Sequence, residues 1–386
     1  MKGIVPGIAI TLLTASFSNY GAEIKSLGAC QAKGVIQVVC DVKNPEDMVL
    51  LPSGKNILVS QFDNVENAAP GGLGLYQIDK KQFSQLFPLS GIGTEPQLAD
   101  DRRWGDKECP PPKKQFSPHG IGFVKRTDGE SMLAVVNHGG RESIELFRVA
   151  ETEKTAIPEI TNTQPNKAAM ENQVQLEWRG CFHLDKDIYP NDVVALKDGG
   201  VIYTHMGVPP EYKNGSVYEW HQAQKDPIML PETTGVLLNG IQISPDEKLL
   251  YINYYRKGLV QSYDRATQKI TAKIEVPYPD NSSFNRKGHL LVASHDGSFD
   301  DIQKCMKMAA GETCALPFSI YAIDFDKKVK RRIYANKGEP MGAGTIAIEA
   351  GNSLYIGSFK SNRIMIVPRA KVPGGKNKSA FWHNKK

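Results

Sequence analysis

Two histidines, His119 and His138, bracket the stretch "PHGIGFVKRTDGESMLAVVNH". Both lie about nine to ten residues from the turn near 128–129, so an antiparallel hairpin sets them opposite each other at its open end. An imidazole exchanges protons near neutral pH, and a facing pair therefore reads as a base and its relay. Four further hairpins start on acids or amides: Glu46-Asp47, Asn191-Asp192, Asn239 and Asp280-Asn281. Each is ordinary turn or loop sequence when taken alone. At one repeated position, however, they supply hard oxygen donors of the kind that hold Ca²⁺. A cluster of acids at one level would also repel itself without a cation. The same counting sets His205 across from Asp192 and His295 across from Asn281, whereas His183, His221, His289 and His383 read as satisfied or solvent-facing. The chain has no GxSxG element, so a serine-hydrolase route has no support.

Positioning such residues needs elements that repeat. Long helical periodicity is missing, and short alternating apolar runs broken by Gly, Asp, Asn and Pro predict an all-β chain. Six segments share one template of apolar strand, polar turn and apolar strand: "EDMVLLPSGKNILVSQ", "PHGIGFVKRTDGESMLAVVNH", "NDVVALKDGGVIYTHM", "NGIQISPDEKLLYINYY", "DNSSFNRKGHLLVASH" and "AGTIAIEAGNSLYIGSF". Their starts, at Asp47, His119, Asp192, Asn239, Asn281 and Gly344, recur on average about every 59 residues. Further strand-like runs follow each unit, which gives about four antiparallel strands per unit and predicts a six-bladed β-propeller. The last unit lacks an outermost strand, and the early run "GVIQVVCDV" can supply it and close the ring. In this architecture the first strand of each blade lines the central channel, so the candidate residues converge at one mouth.

The 386 residues, 40% hydrophobic and 23% charged, suffice for a sizeable core, here placed in a propeller spanning 30–370. The net charge of +5 is modest and gathers in a tail, 371–386, with five lysines in 16 residues. That tail reads as a solvated end, and no nucleic-acid partner is expected. Residues 1–22 have a lysine, an apolar run and then small polar residues, the layout of a secretory signal or a retained leader. The run is shorter than the ~20 residues that span a bilayer, although membrane association through it stays open. Export to the periplasm or the exterior would put the six cysteines in a disulfide-permissive compartment. Cys305 pairs most simply with Cys314; the other four allow three pairings, of which Cys109 with Cys181 and Cys30 with Cys40 is preferred.

The pieces "EDMVLLPSG", "FSPHGIGF" with "LAVVNHGGRESIELFRV", "PNDVVAL", "LLNGIQISPDEKLLYI" and "LLVASHDG" carry a specific likeness. The chain resembles the paraoxonase/arylesterase family of calcium-dependent lactonases, within the wider gluconolactonase-like group of six-bladed propellers. The resemblance spans roughly residues 45 to 365 and is most diagnostic over 116–149. It implies two calcium ions. Glu46, Asn191, Asn239, Asp280 and Asn281 would hold the catalytic ion. Asp47, Asp192 and the backbone carbonyl of Ile121 would hold a deeper structural one. It also implies His119 as the base that activates water, His138 as its relay, His295 in the substrate pocket, and a small-molecule lactone or aryl ester as substrate. Two departures stand out. The last strand, "NRIMIVPRA", has no cysteine for the family's ring-closing disulfide, and the segment after the third unit lacks the family's long aromatic loop. The alternatives are a calcium-stabilised propeller that binds a ligand without catalysis, or a relative that acts on sugar lactones or condenses aldehydes with amines.

Overall fold

The computed structural model describes residues 24–62, 71–88, 103–112, 115–151, 174–222, 224, 226–309 and 311–369. The apolar leader, the basic tail and His383 lie outside these residues. Six antiparallel sheets follow one another along the chain. Blade 1 runs Pro45–Leu50, Asn56–Gln61, Gly72–Gln77 and Gln82–Phe87. Blade 2 runs Pro118–Lys125, Ser131–Asn137, Ser143–Glu151 and Val174–His183, with Trp104–Gly105 added in parallel at its outer edge. Blade 3 holds Pro190–Ala195, Val201–His205, Ser216–Trp220 and Ile228–Met229. Blade 4 holds Leu238–Ile243, Leu249–Tyr254, Leu259–Asp264 and Lys269–Glu275. Blade 5 holds Pro279–Phe284, Leu290–His295, Phe318–Asp324 and Val329–Asn336. Blade 6 takes three strands from the end of the chain, Gly344–Ala350, Ser353–Ser358 and Arg363–Pro368, and its fourth, Gln37–Cys40, from the beginning.

The ring is closed, because every inner strand contacts the inner strands of both neighbouring blades, including blade 6 against blade 1. Burial follows from position. The inner strand Pro190–Ala195 is buried throughout, whereas the outer strand Lys269–Glu275 alternates between exposed and half-buried. A separate apolar core fills each gap between blades. Leu58, Leu75, Leu133 and Phe147 pack between blades 1 and 2, and Ile57, Val59, Ile346 and Ile364 seal blade 6 to blade 1. This distribution is what a ring of two-faced sheets requires, since each sheet buries both faces against its neighbours.

The segment before blade 1 is fastened to the late strands of blade 6 without a disulfide between the two. Arg363, 2% exposed, directs its guanidinium to the carbonyls of Gly28, Ala29 and Pro340, to Thr313 Oγ1 and to Asn362 Oδ1. A guanidinium so deeply buried is tolerated only when its donors are met in this way. Glu339 adds exposed ion pairs to Lys25 and Lys33. The disulfides are Cys30–Cys40, Cys109–Cys181 and Cys305–Cys314, the preferred pairing, and three such bonds fit an oxidising compartment. Among the described residues no helix is long and apolar enough to cross a membrane.

Candidate metal centre and histidine relay

One irregularity recurs in all six blades and decides where the site residues point. The pairing of inner and second strand slips by one residue between Pro45 and Asp47, Pro118 and Ile121, Pro190 and Val193, Leu238 and Ile241, Pro279 and Ser282, and Gly344 and Ile346. Each slip is a β-bulge, which leaves residues unpaired and turns their side chains out of the sheet alternation. Glu46, His119, Asn191, Asn239, Asp280 and Asn281 all lie in these bulges. The carbonyls there are tied to neighbouring blades: Ser60 donates to Pro118 O (3.0 Å), Thr204 to Asn239 O (2.6 Å), Asn253 to Asp280 O and Thr345 to Glu46 O (2.6 Å). Glycine makes the close approach feasible at two points. A Cβ on Gly120 would collide with the backbone of Asn191 and Asp192, and one on Gly240 would collide with that of Asp280 and Asn281.

The bulge also corrects two expectations of register. His205 pairs with Pro190, not Asp192, and the His295 N–H bonds to Tyr278 O, not to Asn281. Counting from the turn assumes an unbroken ladder, and the extra inner-strand residue breaks it. Both histidines remain at the mouth and buried. His205 accepts at Nδ1 from the Tyr189 N–H (3.0 Å), and burial lowers its pKa. The other strand-end histidines are surface features. His183 is exposed, His221 bonds to Glu219 (2.8 Å) and Asp198 (3.1 Å), and His289 lies 3.5 Å from Asp324.

The remaining residues converge. The Glu46 side chain accepts at Oε1 from Asn281 Nδ2 (2.8 Å) and lies 3.8 Å from His119 Nε2. Asp47 spans to blade 2, its Oδ2 accepting from the Ile121 N–H (2.8 Å) while Oδ1 takes the Met48 N–H (2.8 Å). Asp192 does the same toward blade 4, with the N–H groups of Ile241 (2.8 Å) and Val193 (2.7 Å). Asp280 is hydrogen-bonded by Asn239 and lies 3.5 Å from His295 Nε2.

Four buried carboxyls at one level bear an electrostatic cost. Burial, then the charges of Asp280 and Asp47, holds Glu46 well above the usual carboxylate range. Burial pushes Asp47 up to about 7, against the pull of the Ile121 and Met48 N–H groups. Asp192 and Asp280 are raised by burial and by the charge of Asp47.

Glu46 Oε2, Asn191 Oδ1, Asn239 Oδ1 and Asn281 Oδ1 are buried and have no hydrogen-bond partner. Orphaned buried oxygens are costly and call for an explanation, one of which is an ion. Among the described residues no trio of His, Cys, Asp and Glu is arranged to hold a metal. Here three of the four orphans are asparagine amides, and an all-oxygen, amide-rich donor set suits Ca²⁺ and not a transition metal. The residues therefore fit the ion that the resemblance implies.

Beside this cluster His119 Nδ1 meets His138 Nε2 at 3.0 Å, and His138 Nδ1 meets Glu142 Oε2 at 2.7 Å. Phe62 stacks flat on His119, with ring centroids 4.0 Å apart and 4° between planes. Burial and the neighbouring His138 push His119 well below the usual imidazole value. Across the mouth, Tyr255 Oη lies 2.7 Å from His295 Nδ1, and burial pushes His295 down to about 4. The sequence reading missed Glu142, Phe62, Tyr255 and Asn253. Only Glu142 had a local signal, a carboxylate four residues beyond His138 in "HGGRE".

Comparison with solved structures gives a luciferin-regenerating enzyme at 15% identity and a TM-score of 0.50, covering 86% of this chain and 95% of that one. At that identity the likeness shows the fold. A gluconolactonase from Xanthomonas campestris matches at 14% identity and a TM-score of 0.47 (86% of this chain, 89% of the other). A virginiamycin B lyase from Staphylococcus aureus, a catalytically inactive variant with quinupristin, matches at 11% and 0.46 (90% and 99%). No curated protein sequence matches the chain. The SMP-30/gluconolactonase/LRE-like region matches residues 108–315, more than half of the chain and the part that carries His119, His138 and the inner-strand bulges of blades 3 to 5. The chain belongs to the SMP-30/gluconolactonase/LRE-like family.

Proposed function

We propose that this protein is a Ca²⁺-dependent hydrolase of lactones, with aryl esters as further substrates, as in the paraoxonase/arylesterase branch that its paired histidines resemble. The observation that carries this reading is the set of orphaned oxygens on Glu46, Asn191, Asn239 and Asn281 beside the His119–His138 pair. Glu46, Asn191, Asn239, Asp280 and Asn281 would hold one ion at the mouth, and Asp47, Asp192 and the Ile121 carbonyl a deeper structural one. When bound, the outer ion would polarise the ester carbonyl and stabilise the developing oxyanion.

The chain's own residues supply the proton chemistry. A general base must enter the reaction uncharged, and burial under Phe62 keeps His119 neutral at physiological pH. Water loses a proton to His119 Nε2 as its oxygen bonds to the carbonyl carbon, and His119 passes its Nδ1 proton to His138 Nε2. When the ring C–O bond breaks, the alkoxide takes a proton from His119 Nε2 while the His138 Nε2 proton returns to His119 Nδ1, and the hydroxy acid that leaves ionises to solvent. His295, across the mouth, would orient the substrate.

The test is hydrolysis of a panel of lactones and aryl esters of varied acyl length, with protein stripped by EDTA and then restored with Ca²⁺. Turnover lost on stripping and regained with Ca²⁺ is the expected result. Equal turnover in both states, or none on any lactone or ester, would sink the reading.

A further inference from the structure

Hydrogen-bond bookkeeping fixes which way the His119–His138 pair is polarised, and the deciding atom lies outside the pair. A carboxylate only accepts, so at 2.7 Å the His138 Nδ1 must donate to Glu142 Oε2. A neutral imidazole with a protonated Nδ1 has a bare Nε2, which then accepts across 3.0 Å from His119 Nδ1–H. His119 is left with its lone pair on Nε2, the nitrogen that faces Glu46 at 3.8 Å. Without Glu142 the opposite set of tautomers, with His119 Nε2 protonated and useless as a base, would be equally open.

The local chain is built to hold this carboxylate in place. Asn137, fully buried, accepts from the N–H groups of Ser117 and Gly139 (2.9 Å each) and donates to Ser143 Oγ (3.2 Å), which pins both ends of the short loop between His138 and Ser143. Gly140, with φ of 75°, turns the chain back so that a side chain four residues on reaches the ring. The Glu142 carbonyl accepts from the Leu184 N–H (3.0 Å). Arg141, the adjacent cation, is turned to Glu145 (2.6 Å) and does not compete for Glu142. His138 is sealed, whereas the Glu142 side chain is 19% exposed, so the chain of contacts runs from the channel to water.

We propose that Glu142 is the outer member of a Glu142–His138–His119 relay. It is a positioning residue that fixes the tautomer of His138 and through it presents the Nε2 lone pair of His119 to the substrate. The inference rests on the reading of His119 as base and names the group that makes it one. In turnover the proton from water goes to His119 Nε2, the His119 Nδ1 proton moves to His138 Nε2, and the resulting imidazolium is paired with the Glu142 carboxylate. The return of the proton to the leaving alkoxide restores the starting state.

The test pairs kinetics with nitrogen-15 NMR of the histidine rings, recorded on both the metal-free and the Ca²⁺-loaded protein. Glu142→Ala should lower kcat about 10- to 100-fold with little change in KM, as loss of a partner that orients an active imidazole does elsewhere. It should abolish the fixed Nδ1–H pattern of His138, and Glu142→Asp should recover part of both. If the alanine variant does not fold, Glu142→Met, of similar reach with no carboxylate to accept the bond, is read the same way. His138 shifts that stay at wild type overturn the proposal, whatever happens to kcat. Unchanged kcat in Glu142→Ala, when His119→Gln abolishes turnover, also overturns it. Turnover that survives His119→Gln would count instead against the base assignment, and the His138 shifts would then decide the Glu142 contact alone.

Discussion

Two buried histidines face each other's territory across the channel mouth. His119 Nε2 lies 3.8 Å from Glu46, and His295 Nε2 lies 3.5 Å from Asp280. Both are sealed, and burial lowers both. They differ at the other nitrogen. Behind His119 stands a second imidazole that leads to a carboxylate open in part to water, whereas behind His295 stands the Tyr255 phenol, itself buried and pushed above its ordinary value. The Asp280 carboxylate, 3.5 Å from Nε2, favours a protonated Nε2 on His295, which leaves Nδ1 to accept from Tyr255. In the proposed mechanism one ring would take a proton and pass it on, and the other would offer a hydrogen bond and keep it. A base needs an outlet; a donor needs only a fixed tautomer.

Exchanging the rings one at a time breaks this comparison most directly. His119→Gln should cost about 10²- to 10⁴-fold in kcat, the usual worth of a general base. His295→Gln should act mainly on KM and cost far less in kcat, and steady-state kinetics on one good lactone separate the two. Equal losses in kcat would mean that the two sides of the mouth are not specialised.

Metal removal gives the next largest effect, now on stability. The raised carboxyls bind more protons folded than unfolded between about pH 4 and 7, the window set by Asp47. The stability of the metal-free protein should therefore fall as pH rises through that window, and be highest below it. Thermal melts in EDTA against melts in Ca²⁺ check this. Saturating Ca²⁺ should remove the fall, because the ion favours the ionised forms, and parallel profiles in the two buffers would contradict the centre.

Phe62 offers a finer cut. Phe62→Ala should admit water to His119, raise its pKa and move the acid limb of the kcat/KM profile to higher pH, with a loss of several-fold near pH 6. The smallest effect is expected from Tyr255→Phe. It removes one hydrogen bond worth about 1 kcal/mol, hence roughly fivefold in KM, and leaves the pH profile in place.

Much of this arrangement was legible in the chain. Hairpin recurrence gave the six blades, and hard-donor residues at the strand starts marked the mouth, because both follow from local pattern and turn chemistry. What was not legible depends on ring closure. The one-residue slip at each inner strand has no signature in "NPEDMV" or "YPDNSS", since neighbouring blades impose it through Thr345, Thr204 and Asn253. For the same reason His205 and His295 fell out of register. Phe62 follows the end of a strand, where nothing in its neighbours announces a ring stacked on His119 from the next blade.

The pairing of Gln37–Cys40 with Arg363–Pro368, clamped by the buried guanidinium of Arg363, bears on biosynthesis. The earliest strand of the propeller to leave the ribosome has no partner until the latest one is made. Blades 1 to 5 are each continuous and can form in order, but the ring, and with it the contact of Thr345 with Glu46, must wait until the strands of blade 6 have been made. A chain cut before Arg363–Pro368 would therefore present an open edge and an unassembled mouth, and neither hydrolysis nor ion binding is expected of it.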